Sequence, residues 1–348
     1  MTAPPTDCLL LGDEPARRPA WNAFVRAHRD GTPFHTTAWG DVVERDLGHR
    51  TMCLLTGARE ITGVLPLYLR ESRLFGRSLV SVPAANTAGL LASDSHSART
   101  LLNGATALAR SLNVAFVELR GRSDEADALG FVPQTGHVTV RVPLDAGVEG
   151  VEAAMRSRLR KYVRAGKRAG LTADFCRDTP AFYEVYLETM RRLGSPPFAM
   201  SFFAGLLSAF GERAGIAVVR SEGEVVAADL FVQSDACMYS LYAGSRSTHR
   251  KLKPNVFLVH AELLYGCQQG LGFFDLGRSP ADSPSLQFKL GWGGQVVPLS
   301  YATYLHRANR VPQRRPDAFP WRTLSRLWGR LPNSVVTRLG PRLVRHLH

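Results

Sequence analysis

The sequence lacks cysteines that are spaced or numbered for pairing. Its five cysteines show no Cys-x-x-Cys spacing and are odd in number, which argues against a disulfide framework and a zinc site and predicts reduced thiols. No run of 18 apolar residues occurs, so we expect no membrane-spanning helix. The first seven residues carry neither a basic nor an apolar signal region. Together these absences predict a cytoplasmic protein without a metal site.

Low-complexity segments and heptad repeats are absent as well. The 348 residues are 45% hydrophobic, 21% charged and 9% aromatic, which is the usage of a globular protein rather than of a disordered, collagen-like or coiled-coil chain. At roughly one domain per ~150 residues, the length predicts two domains. We expect one domain at 1–150, a second at 151–305, and a basic segment at 306–348 that docks on them.

Lysine is rare, and the positive charge is unevenly distributed. Five of the 43 basic residues are lysine, and residues 1–150 have a net charge of −1 whereas residues 151–348 have one of +14. Segment 156–168 holds seven cations and no acid, and segment 306–348 holds ten arginines and one acid. Such clusters predict a polyanionic partner, either nucleic acid or an anionic membrane. The alternative is a solvated face on an arginine-rich protein.

One order of secondary-structure elements occurs twice. In the first half the hydrophobic pattern predicts two helices, an antiparallel meander, a helix and an apolar strand at 16–28, 37–47, 51–56, 61–70, 78–82, 97–112 and 114–119. The second half predicts the same order at 181–192, 202–210, 216–220, 225–233, 238–244, 256–269 and 273–276. Corresponding acids lie 164 residues apart (Glu60 and Glu224) and 157 apart (Glu118 and Asp275). We therefore expect two similar α/β units joined near 145–155, with a basic helix at 156–168 between them.

This order resembles the GNAT acyltransferase fold, and its tandem form resembles the Fem (FemABX) family over nearly the whole chain. The most specific motifs are Phe34-His-Thr-Thr-Ala-Trp39, Leu159-Arg-Lys-Tyr-Val-Arg-Ala165, Tyr239-Ser-Leu-Tyr-Ala-Gly-Ser245, Phe274-Asp-Leu-Gly-Arg278 and Gln287-Phe-Lys-Leu-Gly-Trp-Gly-Gly294. Leu65-Pro-Leu67 and Gly340-Pro341 resemble the branch associated with exopolysaccharide and PEP-CTERM systems. The resemblance implies two tandem GNAT-like domains, and it implies transfer of an aminoacyl group from aminoacyl-tRNA to an amine. The coiled-coil arm of some Fem proteins is absent, because no heptad segment exists.

Lys289 is the first candidate catalytic residue. Glycines beside it allow a ligand to approach the backbone closely, and an ammonium there would stabilise an oxyanion or contact the acceptor end of tRNA. The resemblance assigns this role to the lysine of a Phe-Lys pair, in which Phe288 would stack on the terminal adenine or fill the core. Asp275 is the second candidate, because it could accept a proton from the attacking amine or orient that amine. Its alternatives are a helix cap and an ion pair with Arg278.

Cations of the basic segments, together with Arg278 beside Asp275, are the candidates for binding the donor. They are Arg278, Arg160, Lys161, Arg164 and Arg246, which would contact tRNA phosphates. The glycine-rich pyrophosphate loop that binds acetyl coenzyme A, Q/R-x-x-G-x-G/A, is not clearly present, and this counts against coenzyme A.

Five further residues are candidates for binding the acceptor: Tyr242, Trp39, Asn86, Phe198 and Phe202. Tyr239 and Tyr242 stand three apart on a predicted strand and would face opposite sides, so only one can line a cleft. By resemblance, Phe198 and Phe202 occupy the positions of an Arg and a Tyr that hold a nucleotide-linked precursor in Fem proteins acting on peptidoglycan. Phenyl rings leave diphosphate oxygens unpaired. We therefore expect an apolar amine acceptor rather than a UDP-linked muropeptide. Trp39 has helix packing as its alternative role.

The C-terminal segment combines arginines with Trp321, Leu324, Leu327, Trp328 and Leu331 at roughly helical spacing. This pattern suits docking on the second domain, contact with RNA, or a membrane surface. The sequence as a whole predicts a monomeric aminoacyltransferase that uses aminoacyl-tRNA and no other cofactor. The alternatives are a coenzyme A-dependent N-acyltransferase of exopolysaccharide or sugar precursors and a non-catalytic scaffold of an exopolysaccharide system.

Overall fold

A computed structural model describes residues 7–72, 76–121, 123–311, 328–329 and 331–346. The chain divides into two compact units. The first comprises the described residues of Met1–Gly136, Leu299–Arg314 and Arg345–His348, and the second those of His137–Pro298 and Arg315–Val344. The division therefore falls at 136/137 rather than at the expected 150, and the chain returns to the first unit after Pro298.

The first unit contains four helices and ten strands among its described residues. The helices are α1 (Arg18–Ala27), α2 (Thr37–Val42), α3 (Ser95–Ser111) and α4 (Asp124–Ala128). The strands are β1 (Cys8–Leu10), β2 (Arg50–Thr51), β3 (Leu54–Thr56), β4 (Gly63–Leu65), β5 (Tyr68–Ser72), β6 (Gly76–Val80), β7 (Leu91–Ala92), β8 (Phe116–Arg120), β9 (Phe131–Gln134) and, from the returning segment, β19 (Tyr301–Leu305).

Two sheets organise the first unit. The smaller has the strand order β1-β3-β4-β7, and the larger has the order β2-β5-β6-β8-β19-β9. Strands β6 and β8 run parallel, whereas β19 is antiparallel to both β8 and β9. The apolar side of α3, including Leu101, Leu102 and Ala105, is buried in the core with strand residues such as Leu79 and Val117. Burial of this apolar surface is the main stabilisation of the unit.

The second unit contains seven helices and nine strands among its described residues. The helices are α5 (Gly147–Ala154), α6 (Ser157–Arg168), α7 (Thr179–Leu193), α8 (Met200–Phe210), α9 (Pro254–Gln268), α10 (Pro284–Leu290) and α11 (Asn333–Val344). The strands are β10 (His137–Pro143), β11 (Thr172–Cys176), β12 (Ala214–Ser221), β13 (Glu224–Gln233), β14 (Cys237–Ser240), β15 (Gly244–Ser245), β16 (Phe273–Asp275), β17 (Ser279–Pro280) and β18 (Gln295–Pro298).

One sheet organises the second unit. Its main path is β11-β12-β13-β14-β16-β10-β17, with β15 beside β13 and β18 beside β10. Strand β10 pairs antiparallel with β16, β17 and β18, so the first strand of this unit lies inside its sheet and joins β17 and β18 to the other strands. Local signals agree with the helix ends, because Asp178 accepts a hydrogen bond from the Ala181 amide at the start of α7 and Gly194 adopts φ 66° at its end.

Most elements expected from the hydrophobic pattern are present, and the mixed α/β class is confirmed. The strand expected at 61–70 is two strands, β4 and β5, which belong to different sheets. The strand expected at 238–244 ends at Ser240, after which the chain returns to β13 as β15. The basic segment 156–168 is helical as expected, and it forms α6.

Candidate functional site

The candidate site lies where two parallel strands of the second unit end. Strands β14 and β16 pair from Cys237–Phe273 to Tyr239–Asp275. Beyond this point β14 leads to a segment that turns back to β13, and β16 leads to the turn at Leu276–Arg278. Carboxyl ends of parallel strands meet at one edge of a sheet, where ligands of α/β proteins usually bind. The candidate site therefore lies at this edge of the sheet.

Lys289 reaches this edge from the last turn of α10. Its Nζ donates hydrogen bonds to the carbonyl oxygens of Gly277, at 2.7 Å, and of Arg278, at 3.1 Å. Gly277 has φ 75°, a conformation that glycine adopts without strain. An ammonium carries three N–H groups, so two are held by the turn and one remains to meet a substrate. Burial lowers the pKa of Lys289 to about 8, although Asp275 and Asp229 favour its charged form.

Asp275 holds the turn that positions Lys289. Its Oδ1 accepts hydrogen bonds from the amide of Gly277, at 2.9 Å, and from the hydroxyl of Thr139. Its Oδ2 accepts one from Nε of Arg141 at 3.1 Å. The carboxylate is buried and both of its oxygens accept hydrogen bonds. Its role in orienting the amine or accepting its proton stays a prediction. Its ion pair is with Arg141, which lies directly opposite it on β10, and not with Arg278, whose side chain is exposed.

Two carboxyl groups that sequence reasoning missed lie behind the same edge. Asp229 on β13 and Glu262 on α9 are both fully buried and contact each other. Oδ1 of Asp229 accepts a hydrogen bond of 2.9 Å from the amide of Tyr242, in the segment that leaves β14. Burial raises the pKa of Asp229 to about 6 and that of Glu262 well above its ordinary value. Two buried carboxyls in contact cannot both ionise readily, so we assign the pair one shared proton near neutral pH.

A cationic surface on α6 begins next to the Lys289 segment. The amide of Arg156 donates a hydrogen bond of 2.8 Å to the carbonyl of Gly291, two residues after Lys289. On α6 the apolar Leu159 and Val163 are buried, whereas Lys161 and Arg164 are exposed and form no ion pair with any described residue. The charges of Lys161 and Arg164 are therefore exposed for contact with a polyanion.

The 250–253 segment extends this cationic surface. Arg250 and Lys251 are exposed, and Nζ of Lys253 lies 5.7 Å from the centre of the Tyr162 ring on α6. Arg158 stacks over the same ring at 5.6 Å. Cations on two elements are thereby gathered around one aromatic side chain, an arrangement that suits a nucleic-acid backbone and its bases.

Two expected donor-binding arginines have structural roles instead. One guanidinium nitrogen of Arg160 donates to the carbonyls of Glu152, Ala153 and Met155, which are exposed at the end of α5. Arg246 forms ion pairs with three carboxylates, those of Glu184, Glu188 and Glu224. The charge of Arg246 is therefore neutralised within the protein, whereas Arg160 is tied to the end of α5 through one of its guanidinium nitrogens.

The expected acceptor residues of the second unit form part of an aromatic cluster. Phe198 and Phe202 are buried and stack with their ring centres 4.6 Å apart. The ring of Tyr242 lies edge-on to both, at 5.7 and 6.0 Å. The cluster also includes Phe182, Tyr183, Tyr186 and Phe203. Burial raises the pKa of Tyr242 well above its ordinary value. The two phenylalanines are core residues rather than lining of a surface, which corrects the expectation of direct acceptor contact.

Trp39 and Asn86 belong to the first unit. Trp39 is fully buried and donates from Nε1 to the carbonyl of Pro83, so its packing role is the observed one. The main-chain oxygen of Asn86 accepts a hydrogen bond from Tyr301. The segment containing Asn86 packs on the end of β8, where Gly89 meets Gly121 so closely that a Cβ on Gly89 would lie 2.8 Å from the Gly121 Cα. In the first unit, the edge that corresponds to the candidate site is filled by this segment.

Of the C-terminal pattern, Trp321, Leu324 and Leu327 lie outside the described residues. The described helix α11 packs on the second unit through Val336, Gly340 and Val344, and a Cβ on Gly340 would overlap Pro197. No helix among the described residues is long and apolar enough to cross a membrane. Likewise, the described part of the chain holds no cluster of three or more His, Cys, Asp and Glu residues that could bind a metal ion.

Comparisons with known proteins agree with this architecture. Residues 153–289 match the family model described as acetyltransferase (GNAT) domain. The crystal structure of FemX superposes with a TM-score of 0.67 at 17% identity, over 83% of this chain and 96% of that one. The chain has a FemX-like fold. No curated protein sequence matches it.

Two further structures share this FemX-like fold. A C-terminal domain described as part of a lysylphosphatidylglycerol synthetase from Agrobacterium fabrum has a TM-score of 0.59 at 13% identity, over 83% of this chain and 92% of that one. A tandem GNAT protein from the clavulanic acid biosynthesis pathway has a TM-score of 0.58 at 13% identity, over 86% and 98%. The expected tandem GNAT-like architecture is thus confirmed, and the fold is that of acyltransferases. The expected exopolysaccharide branch stays a prediction.

Proposed function

We propose that this protein transfers an aminoacyl group from aminoacyl-tRNA to an amine acceptor. The observation that carries the proposal is the position of Lys289, whose Nζ is held at the strand edge by two carbonyls, in a segment that is hydrogen-bonded to the start of α6. A polyanion bound on the cationic surface of α6 would bring its end toward the ammonium. The FemX-like fold supports the proposal. The fold shared with a structure described as part of a lysylphosphatidylglycerol synthetase also supports it, because lysyl is an aminoacyl group.

The reaction needs positioning and charge stabilisation more than a covalent catalyst. The acceptor nitrogen attacks the ester carbonyl, a C–N bond forms, and the bond from carbon to the ribose oxygen breaks. The proton that the amine loses balances the one that the ribose oxygen gains. The carbonyl oxygen is negative in the tetrahedral intermediate, and a fixed ammonium in a partly dry site stabilises that charge strongly. Lys289 provides such an ammonium, and Asp275 fixes its turn through Gly277.

A coenzyme A thioester is the alternative donor. Arg250, Lys251 and Lys253 precede the N-terminus of α9, and cations at a helix N-terminus suit a pyrophosphate. The two donors differ in size, because tRNA would cover the whole of α6 whereas a pyrophosphate would cover only the start of α9.

Binding at several salt concentrations distinguishes the donors. Affinity for tRNA should fall steeply between ~50 and ~200 mM salt, as several phosphate contacts imply. Changing Lys161, Arg164 and Lys167 to Glu should lower the slope of log affinity against log salt by roughly 2–3. The matched control changes Arg26, Arg59 and Arg99 to Glu, three exposed arginines of the first unit, and should leave the slope unchanged.

Turnover then tests the reaction itself. Pooled labelled aminoacyl-tRNA is offered with candidate amines, and acyl coenzyme A thioesters are offered in parallel. Labelled amide from the tRNA pool supports the proposal. Coenzyme A affinity without tRNA binding would contradict it and favour the alternative donor.

The nature of the acceptor is a separate part of the proposal. Phe198 and Phe202 are buried in the aromatic cluster, and neither side chain offers a hydrogen-bond donor to a diphosphate. We therefore expect no binding of UDP-linked muropeptide in calorimetry. Micromolar binding would overturn this expectation and indicate a cell-wall substrate.

A further inference from the structure

One surface of the second unit exposes large apolar side chains. It is formed by the end of α7, the start of α8 and the outer side of α11, and we call it the apolar-arginine surface. Leu193, Met200, Leu339 and Leu343 are exposed to 57%, 44%, 40% and 38%. These elements touch, because Arg191 donates a hydrogen bond to Asn333 at 2.7 Å and Gly340 lies against Pro197. Four of the seven large apolar side chains that are exposed among the described residues are therefore gathered on three adjoining elements.

The charged side chains of α11 are all arginine. Arg192, Arg338 and Arg342 are exposed, and the sequence has no Asp or Glu from 189 to 211 or after Asp317. Arginines and leucines alternate on α11 as the pairs Arg338–Leu339 and Arg342–Leu343. Exposed leucines beside exposed arginines, on a helix without Asp or Glu, are the pattern of a helix that lies in a membrane interface.

The cationic surface of α6 provides the contrast. There the apolar side chains of Leu159 and Val163 are buried, and the exposed positions are mostly cations. Such a surface binds phosphates through charge alone. On α11, by comparison, two leucines extend outward although Val336 and Val344 already fill its buried face. Exposed apolar patches of this kind mark interaction sites, and a lipid surface satisfies both the leucines and the arginines.

We propose that the apolar-arginine surface binds the protein peripherally to an anionic membrane. The leucines and Met200 would enter the boundary between headgroups and acyl chains, and the arginines would contact lipid phosphates. This binding does not depend on the proposed acyl transfer, so either can fail without the other. It would bring the active protein to acceptors that are held in a membrane.

Vesicle flotation of the full chain, treated with nuclease, tests the proposal. Vesicles of phosphatidylcholine with phosphatidylglycerol should float the protein, and pure phosphatidylcholine should not. The double variant Leu339→Asn, Leu343→Asn should lower the partition coefficient by about tenfold or more, because it removes apolar contact and no charge. Its matched control is Val132→Asn, Val296→Asn, two valines exposed to 44% and 46% on other elements, which should float like the unchanged protein.

Three outcomes would overturn the proposal. The first is absence of flotation with anionic vesicles. The second is equal flotation of the unchanged protein and the Leu339/Leu343 variant, with loss of flotation on changing Lys161 and Arg164 to Gln, which would place the attraction on α6. The third is a light-scattering mass of the Leu339/Leu343 variant that is half that of the unchanged protein. This result would make the surface an interface between two copies. Thermal unfolding of each variant checks that the fold is intact.

Discussion

Burial shifts the pKa values of the charged groups in the candidate site in opposite directions. It lowers the pKa of Lys289 to about 8 and raises that of Asp229 to about 6, because a low dielectric disfavours either charge. Lys289 retains its charge near pH 7, since two carbonyls accept its N–H groups. Asp229 and Glu262 retain a proton between them. The two effects leave one cation at the strand edge and one shared proton behind it.

The first prediction concerns Lys289. Replacing it with Met keeps the apolar stem and removes the ammonium. If that group meets charge that develops only in the transition state, kcat should fall by ~10²-fold or more with little change in KM. For the unchanged protein, kcat should also decline as the pH rises through about 8, where the ammonium is lost. Steady-state kinetics on aminoacyl-tRNA checks both.

Arg59→Met is the control for Lys289→Met, because Arg59 is an exposed cation of the first unit. This variant should keep kcat within a few fold. Equal losses in the two variants would show that general positive charge, and not the ammonium of Lys289, supports the reaction.

The second prediction concerns Glu262. Because both folded-state pKa values are raised, the folded protein binds more protons than the unfolded chain above about pH 4. The stability that this pair contributes should therefore be complete below that pH and decline as the pH rises through about 6. Glu262→Gln supplies a permanent N–H to Asp229. The free energy of unfolding of this variant should therefore decline less between pH 5 and 8 than that of the unchanged protein, by about 1–3 kcal/mol. Denaturant titrations at each pH measure this difference.

Glu212→Gln removes the same charge from an exposed position and should leave the pH dependence unaltered. A Glu262→Gln variant whose stability falls as steeply as that of the unchanged protein would refute the shared proton.

At the scale of elements, the cations of α6 have two roles. One stabilises the end of α5, and others are exposed to solvent. Arg160 holds the last carbonyls of α5, whereas the neighbouring Lys161 points into solvent. Adjacent cations on one helix thus have different roles, and sequence spacing alone could not separate them.

The third prediction follows from this difference. Arg160→Gln should lower the free energy of unfolding by ~1–2 kcal/mol, because it removes a charged donor from three carbonyls. Lys161→Gln should leave stability unchanged and weaken tRNA binding. Thermal unfolding and binding titrations of both variants provide the measurement, and the reverse result would reassign the two residues.

At the scale of the whole molecule, each unit takes a strand from beyond the expected boundary. Strand β10, encoded before residue 150, pairs with three strands of the second unit. Strand β19, encoded after the second unit, lies between β8 and β9 of the first. Neither unit is therefore a simple half of the sequence.

The fourth prediction tests this division. A chain of residues 137–298 should fold and unfold cooperatively, because it contains all strands of the second sheet. A chain of residues 151–298 should not, since it lacks β10 and leaves the hydrogen-bonding edge of β16 unpaired in the interior. Circular dichroism and thermal melts compare the two, and cooperative unfolding of the shorter chain would contradict the role of β10.

The sequence by itself determined the order of helices and strands, the basic character of α6 and the choice of Lys289 as a candidate. These follow from local periodicity, local charge and a short motif. Only the tertiary structure decided that Asp275 pairs with Arg141, that Arg246 is neutralised by three carboxylates, and that Phe198 and Phe202 are core residues. Partners distant in sequence set those outcomes. Asp229 left a signal, as a lone carboxylate in the apolar run Val225–Val232, but its contact with Glu262 required strand β13 and helix α9 to pack together. Side-chain roles in this protein thus depend on long-range packing, whereas its elements depend on local pattern.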